Sequence, residues 1–447
     1  MTSDGNHAPW QRAESPFTAA VMAGRWIRTA AVDDERGRHW RANPDPRRDS
    51  ARSGRSSSLY AGAAGIVLFF IELATVTGHE AYLDDAAEGA RFLASTWEEE
   101  TDFSLYHGLA GVVFALAEAS WATGDERFAA AARAGADRIV RGMRGSGDGA
   151  GWTGDPAQSG DGGIILGLLH ASGILGVPAY QDVAVEAGAA IAARAVPGHR
   201  FGAEGCPGLP IDAVTPGFLS GTAGTAFLLA RLYGVTRDRL FLDAAQRGAD
   251  FVRTVSTVTD DHALVPHHVP QGRELHYLGL CSGSAGVARM FYELHRVTGD
   301  PGDLEWVERL ARGIVCSGIP YRQTPGFWNV ACQCCGTAGL LELFIGLWAA
   351  TGAQPYLDFA GILADNLIGR ATGHDDTGYR WYQAYRRLRP WEVTADTGYM
   401  IGAAGIGSAL LRAEVAAAVG EPRRLILLPD NPFPAIPLPA SALRRSP

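Results

Sequence analysis

The sequence predicts an all-α chain closed into a ring of seven helical hairpins. Three observations carry that expectation: a G-x-x-G turn that occurs seven times, a run of apolar residues after each turn, and amphipathic segments between the runs. The copies are SLYAGAAGIVLFF at Gly62, SLYHGLAGVVFAL at Gly108, QSGDGGIILGLL at Gly160, FLSGTAGTAFLL at Gly221, LCSGSAGVARMF at Gly283, CCGTAGLLELF at Gly336 and YMIGAAGIGSALL at Gly402. Successive first glycines lie 46 to 66 residues apart, which is room for two helices and their connections.

Taken in chain order, a first helix is expected around Phe17 to Ala31. The stretch from Arg36 to Ser58, RGRHWRANPDPRRDSARSGRSSS, is polar and reads as a mobile connection. The run after each glycine pair is apolar nearly all round, as in a helix buried on both sides, so these runs form an inner ring. YLDDAAEGARFLASTW, RFAAAARAGADRIVRGM, FLDAAQRGADFVRTV, LEWVERLARGIVCSG and YLDFAGILADNLIGRA carry apolar residues at helical spacing with charges opposite, and form the outer ring. No β-branched alternating run recurs, so strands are a minor feature. GYRWYQAYRRLRPW, between the sixth and seventh turns, is either an outer helix or loop with snorkelling arginines or the lining of a peptide groove. The tail from Leu427, LLPDNPFPAIPLPASALRRSP, is expected to lie extended on the surface. The organisation is thus 1–57 as N-terminal helix and polar segment, 58–420 as the ring and 421–447 as a Pro-rich tail.

The ring geometry sets the chemistry. Every inner helix starts at the same end, so that end collects positive helix dipoles and unpaired N–H groups, which favour anions and thiolates. A net charge of −9 and a pI near 5.8 give no basic footprint for nucleic acid. No apolar run is long enough for a membrane span and no signal-like start is present, which points to the cytoplasm.

In a reducing compartment the six cysteines read as core residues, ligands or nucleophiles and not as a disulfide framework. Cys281 lies two residues before Gly283, Cys334 two before Gly336 and Cys335 one before it. Equivalent turns of neighbouring repeats bring three sulfurs together, and three protein ligands with one open position suit a catalytic zinc. The alternative is that each is a small buried apolar residue. Cys332 competes as a third ligand, although it precedes the turn; Cys206 and Cys316 read as structural or incidental.

Seven G-x-x-G turns, a cysteine just before the fifth and a C-C-G triplet at the sixth resemble the lanthionine synthetase C-like cyclases, over roughly Ser58 to Ala417. The resemblance implies an α/α toroid with one zinc ion per chain, held by Cys281, Cys334 and, where the family usually has histidine, Cys335. It implies addition of a peptide cysteine thiolate to a dehydroalanine or dehydrobutyrine, closing a lanthionine or methyllanthionine ring. The partner is then a dehydrated precursor peptide. A separate dehydratase must make it, because no catalytic signature for dehydration precedes the ring.

The family's acid–base residues do not carry over. Its histidine before the fourth turn falls on Ser220, its aspartate near the third turn on Pro156, its arginine before the first zinc cysteine on Tyr277, and the aromatic after that cysteine on Ser282. Asp155 and Asp161 at the third turn, His107 before Gly108 and His276 before Cys281 are the candidates for proton transfer; caps, turns and ordinary hydrogen bonding are their alternative roles. Two other functions stay open: a non-catalytic zinc-containing module that binds modified peptide, and a transferase that adds a small thiol to dehydroamino acids. A carbohydrate-active toroid would need two carboxylates across the cleft and has no use for the cysteines.

Overall fold

The computed structural model describes residues 14–44, 55–194, 209–210, 212–322, 330–373, 376–386, 389–417 and 424–436. These contain fourteen α-helices and three two-stranded antiparallel ladders. Helix α1 (Pro16–Thr29) is followed by six hairpins: α2 (Ala63–Thr77) with α3 (Glu80–Thr96), α4 (Leu109–Thr123) with α5 (Glu126–Gly142), α6 (Asp161–Leu175) with α7 (Pro178–Arg194), α8 (Thr222–Thr236) with α9 (Arg239–Val255), α10 (Ser284–Thr298) with α11 (Pro301–Cys316), and α12 (Thr337–Thr351) with α13 (Gln354–Arg370). The last helix is α14 (Ala403–Ala417).

The even-numbered helices each pack on the next, and α14 packs back on α2, so the inner ring closes. The seventh outer helix is α1, which packs on α14 and joins the two ends of the chain. Outer helices bury one stripe: α9 turns Phe241, Ala245, Gly248, Ala249 and Val252 inward. Asp125, Asp238 and Asp300 cap α5, α9 and α11 through their carboxylates, each worth about 1 kcal/mol.

The second glycine of each turn answers a close approach. A Cβ at Gly339 would lie 2.1 Å from the Gln333 carbonyl oxygen, and one at Gly286 2.0 Å from that of Leu280. No side chain fits, so each inner helix starts hard against the loop that leads into it.

Three segments differ from expectation. Ala31–Asp34 (β1) and Gly37–Trp40 (β2) form a hairpin within the stretch read as mobile, because Trp40 gives it an apolar anchor that is almost fully buried; residues 45–54 of that stretch lie outside the described residues. Thr257–Val258 (β3) pairs with Ala263–Leu264 (β4), and Gln383–Ala384 (β5) with Val393–Thr394 (β6) inside the aromatic, arginine-rich segment. There Tyr379 and Trp381 are buried, whereas Trp391 is 73% exposed.

The described part of the tail enters the ring instead of lying on its surface. The reason is a set of charges on the otherwise apolar inner helices. The tenth residue after each first glycine is Glu72, Glu118, His170, Arg231, Glu293, Gly346 and Arg412. Around the ring His170 pairs with Glu118 at 3.2 Å, Arg231 with Glu293 at 3.2 Å and Arg412 with Glu72 at 2.8 Å. Buried ions need more partners than each other, and the tail supplies them. Ile426 N–H donates to Glu72 at 2.9 Å, its carbonyl accepts from Arg412, Asn431 donates to Glu342 at 2.8 Å, and Asp430 meets Arg289 at 3.4 Å. Where the set has glycine, at Gly346, the Phe433 ring packs in its place.

Candidate metal centre

At the start of the inner helices the turns are stitched to one another through their backbones. The Cys281 N–H donates to the Cys334 carbonyl at 3.1 Å, Cys334 to Met400 at 2.9 Å, Met400 to Tyr60 at 2.9 Å, and Tyr60 to Tyr106 at 2.8 Å; on the other side Leu219 donates to Cys281 at 2.9 Å. Each of these residues stands two positions before its glycine, so one register line runs through six of the seven turns at the mouth of the ring. Cys281 and Cys334 are neighbours on that line.

The Cys281 and Cys335 sulfurs are 3.3 Å apart and those of Cys335 and Cys334 3.5 Å apart; all three lie within 4.8 Å of one another. Sulfurs on a tetrahedral zinc are about 3.8 Å apart, given a Zn–S length of about 2.3 Å. The donor set therefore fits the ion with small adjustments. Cys334 is buried, while Cys281 and Cys335 are part-exposed, leaving an approach to the group. Hydrogen bonds from Cys281 and Cys335, then from Tyr60 and Tyr385, hold the Cys334 thiol well below its usual value. Cys281 is pushed up first by its contact with Cys334, and Cys335 by its contact with Cys281. Cys332 is buried and approaches Cys335, but is not in the group of three. Cys206 lies outside the described residues.

Tyr385, which follows β5, reaches this centre: its hydroxyl donates to Cys334 Sγ at 3.6 Å and hydrogen-bonds with the Tyr60 hydroxyl. The Gln383 side chain straps the hairpin to the turn, accepting from Ala331 N at 2.9 Å and Cys332 N at 3.2 Å and donating to the Ile401 carbonyl at 2.6 Å. Behind Tyr60, the Tyr106 hydroxyl donates to the tail's Asp430, and burial followed by that carboxylate's charge pushes Tyr106 far up.

His107 packs against Tyr60, the rings tilted by 37° with centroids 4.7 Å apart, which sets it beside the tyrosine pair. The Asp161 carboxylate is taken up by its own loop, accepting from the N–H groups of Trp152, Thr153 and Gly154 and from the Thr153 hydroxyl. Asp155 accepts from Ala157 N at 3.0 Å as a turn cap. His276 turns to Thr257 Oγ1 at 3.1 Å on the β3 margin, and burial lowers its pKa. Ser220 donates to Ser159 at 3.2 Å across neighbouring turns.

Sequence reasoning had no grip on Tyr60 and Tyr385. The signal for Tyr60 was its register with Cys281 and Cys334; Tyr385 lies outside every repeat. A second cluster, Asp261, His262 and Cys316, also gathers ligand atoms within 4.8 Å, at the exposed tip of the β3–β4 ladder. Arg309 and Arg312 bond to backbone carbonyls of the same tip, so positive charge already sits there.

Among solved structures, nisin cyclase has a TM-score of 0.60 at 13% identity, covering 82% of this chain and 90% of its own. The Lin0763 protein from Listeria innocua gives a TM-score of 0.48 at 14% identity, covering 90% and 97%. An unsaturated glucuronyl hydrolase specific for heparin gives 0.49 at 13%, covering 89% and 95%. At 13% identity the likeness to nisin cyclase is one of fold. No curated protein matches the sequence. The family model described as lanthionine synthetase C-like protein matches residues 54–418, so this chain, with its helical ring and turn cysteines, belongs to the lanthionine synthetase C-like family.

Proposed function

We propose that the chain is a zinc-dependent peptide cyclase whose ligands are Cys281, Cys334 and Cys335, and whose substrate is a ribosomally made peptide already carrying dehydroalanine or dehydrobutyrine. The observation that carries this reading is the group of three sulfurs within 4.8 Å at the inner-helix N-termini of a chain of this family. A bound zinc ion supplies Lewis acidity that lowers the pKa of a substrate thiol from about 8.5 towards neutrality. The chain does the rest. The part-exposed faces of Cys281 and Cys335 leave the approach open, and the register line of amides holds the cysteine backbones, so that only small side-chain adjustments accompany binding. In the reaction the substrate S–H bond breaks, a C–S bond forms at the β-carbon, and the α-carbon takes up a proton. His107, one position before its glycine and packed against Tyr60, is the proposed donor of that proton. Asp161 is not proposed for it, because its carboxylate already serves the loop.

The test is zinc per chain in the parent, Cys281→Ala and His262→Ala proteins, followed by incubation with dehydrated peptide. One equivalent lost in Cys281→Ala and kept in His262→Ala supports the site. Loss of alkylatable peptide thiol at unchanged peptide mass identifies ring closure; a mass gain from an added thiol identifies the transferase. Metal-loaded protein that binds the peptide and changes neither would overturn the cyclase in favour of a binding module.

A further inference from the structure

Replacing imidazole by a third thiolate changes the charge of the proposed centre. A divalent ion with three thiolates carries one net negative charge, and a fourth thiolate from substrate raises it to two. With a histidine ligand the corresponding charges are zero and minus one. Cys334 is buried, and buried negative charge is costly unless hydrogen bonds take up part of it.

The donors for that purpose are next to the sulfur. Tyr60 occupies the register line of Cys281 and Cys334 and is almost fully buried. Tyr385 enters from the β5–β6 hairpin, held by the three hydrogen bonds of Gln383, and donates to Cys334 Sγ at 3.6 Å. Because the two hydroxyls are also bonded to each other, one polarises the other, and such chains strengthen in a low-dielectric setting.

We infer that Tyr60 and Tyr385 are positioning residues for the metal centre: their paired hydroxyls hold the Cys334 sulfur and take up the charge that Cys335 adds where histidine would stand. This rests on the reading of Cys281, Cys334 and Cys335 as ligands. It predicts an energetic coupling between Tyr385 and Cys335, two residues far apart in sequence. It also gives the β5–β6 hairpin a role at the centre, since it carries one of the two donors.

The experiment measures zinc affinity by chelator competition in the full-length parent, Tyr385→Phe, Cys335→His and the double variant, with Tyr180→Phe on the outer ring as control. Outer-layer partners of metal ligands are worth about 10- to 100-fold in affinity. Tyr385→Phe is therefore expected to lose at least about tenfold in the three-cysteine protein and much less in the Cys335→His background, with Tyr180→Phe unchanged. In cobalt-loaded protein, Tyr385→Phe should also move the thiolate-to-metal charge-transfer band to longer wavelength, since a sulfur that loses a hydrogen bond gives up electrons more easily. An equal loss in both backgrounds, or none in either, overturns the inference while leaving the metal site standing. A parent protein that takes up no metal when zinc is offered overturns the ligand reading itself.

Discussion

The Cys281 N–H donates to the Cys334 carbonyl at 3.1 Å, so the two cysteines are joined by backbone and not by their sulfurs alone. Side-chain removal at either position therefore leaves the link intact. Cys281→Ala and Cys334→Ala, measured metal-free by urea unfolding, should each cost no more than about 1 kcal/mol, the loss of one small buried group. With zinc present the gap to the parent should widen, because binding to the folded state alone adds stability by mass action. An unfolded Cys281→Ala protein would contradict this.

Cys335→His tests the electronic side of the same centre. A thiolate donates more charge to the ion than imidazole, leaving more on a substrate sulfur bound beside it. The variant should keep its metal and close rings more slowly than the parent on the same dehydrated peptide. Faster closure would show that the third cysteine does not serve nucleophilicity.

Much of the ring was legible because its determinants are local. A Cβ at the second glycine of the turn would overlap a carbonyl, so the G-x-x-G motif survives wherever the turn does, and the number of turns fixes seven inner helices; six of them form hairpins with the helix that follows, and the seventh, α14, pairs with α1. The cysteines were legible by register, since equivalent turn positions meet at the mouth. The tail's proline content points to the surface, but Asn431 and Asp430 draw it inward through partners on α12 and α10, Glu342 at 89 residues and Arg289 at 141 residues away in sequence. The charges on the inner helices, Arg289 and Glu342 six residues after their glycines as well as those at the tenth position, were the available sign: an apolar helix that keeps an ion must meet a counter-ion. Tyr385 was hidden for another reason. Its place follows from a two-residue ladder and the side chain of Gln383, neither of which leaves a periodic trace.

Arg237 ends α8 in the left-handed region, φ 62°, where α2, α4, α6, α10 and α12 end in glycine. A residue with a Cβ pays about 1 kcal/mol or more there. Arg237→Gly should raise stability by about 0.5 kcal/mol, the remainder being offset by the greater freedom of glycine in the unfolded chain. Thermal unfolding of the two proteins side by side checks the sign.

Phe433 packs on Gly346, tying the tail to the ring; a Cβ on the glycine would lie 2.5 Å from the phenyl ring. Gly346→Val should expel the ring from its seat, and Phe433→Ala should leave a hole worth about 3 kcal/mol. Both should make cleavage after Arg424 in limited trypsin digestion faster than in the parent. Resistance equal to the parent's in Gly346→Val would show that the tail is held without this contact.

Glu118 links the tail to the ring through charge, and its protonation gives the link a pH dependence. Burial raises the carboxyl, but the His170 hydrogen bond and the charges of His170 and Arg424 outweigh it, so the folded-state pKa lies below the ordinary carboxylate value. A depressed carboxylate contributes stability that is fully present above the unfolded value, about 4.3, and is lost as pH falls through the folded value. Glu118→Gln removes the charge at every pH. It should therefore cost about 1–2 kcal/mol at pH 7, less than a fully buried pair because Arg424 is part-exposed, and progressively less as the pH drops below 4. Glu72 and Asp430, both raised by burial, act in the opposite sense, so the pH profile of the parent alone mixes the two. The difference between parent and Glu118→Gln isolates the pair: a gap in urea midpoint that narrows on acidification fits the ion pair, and a constant gap means that Glu118 contributes shape alone.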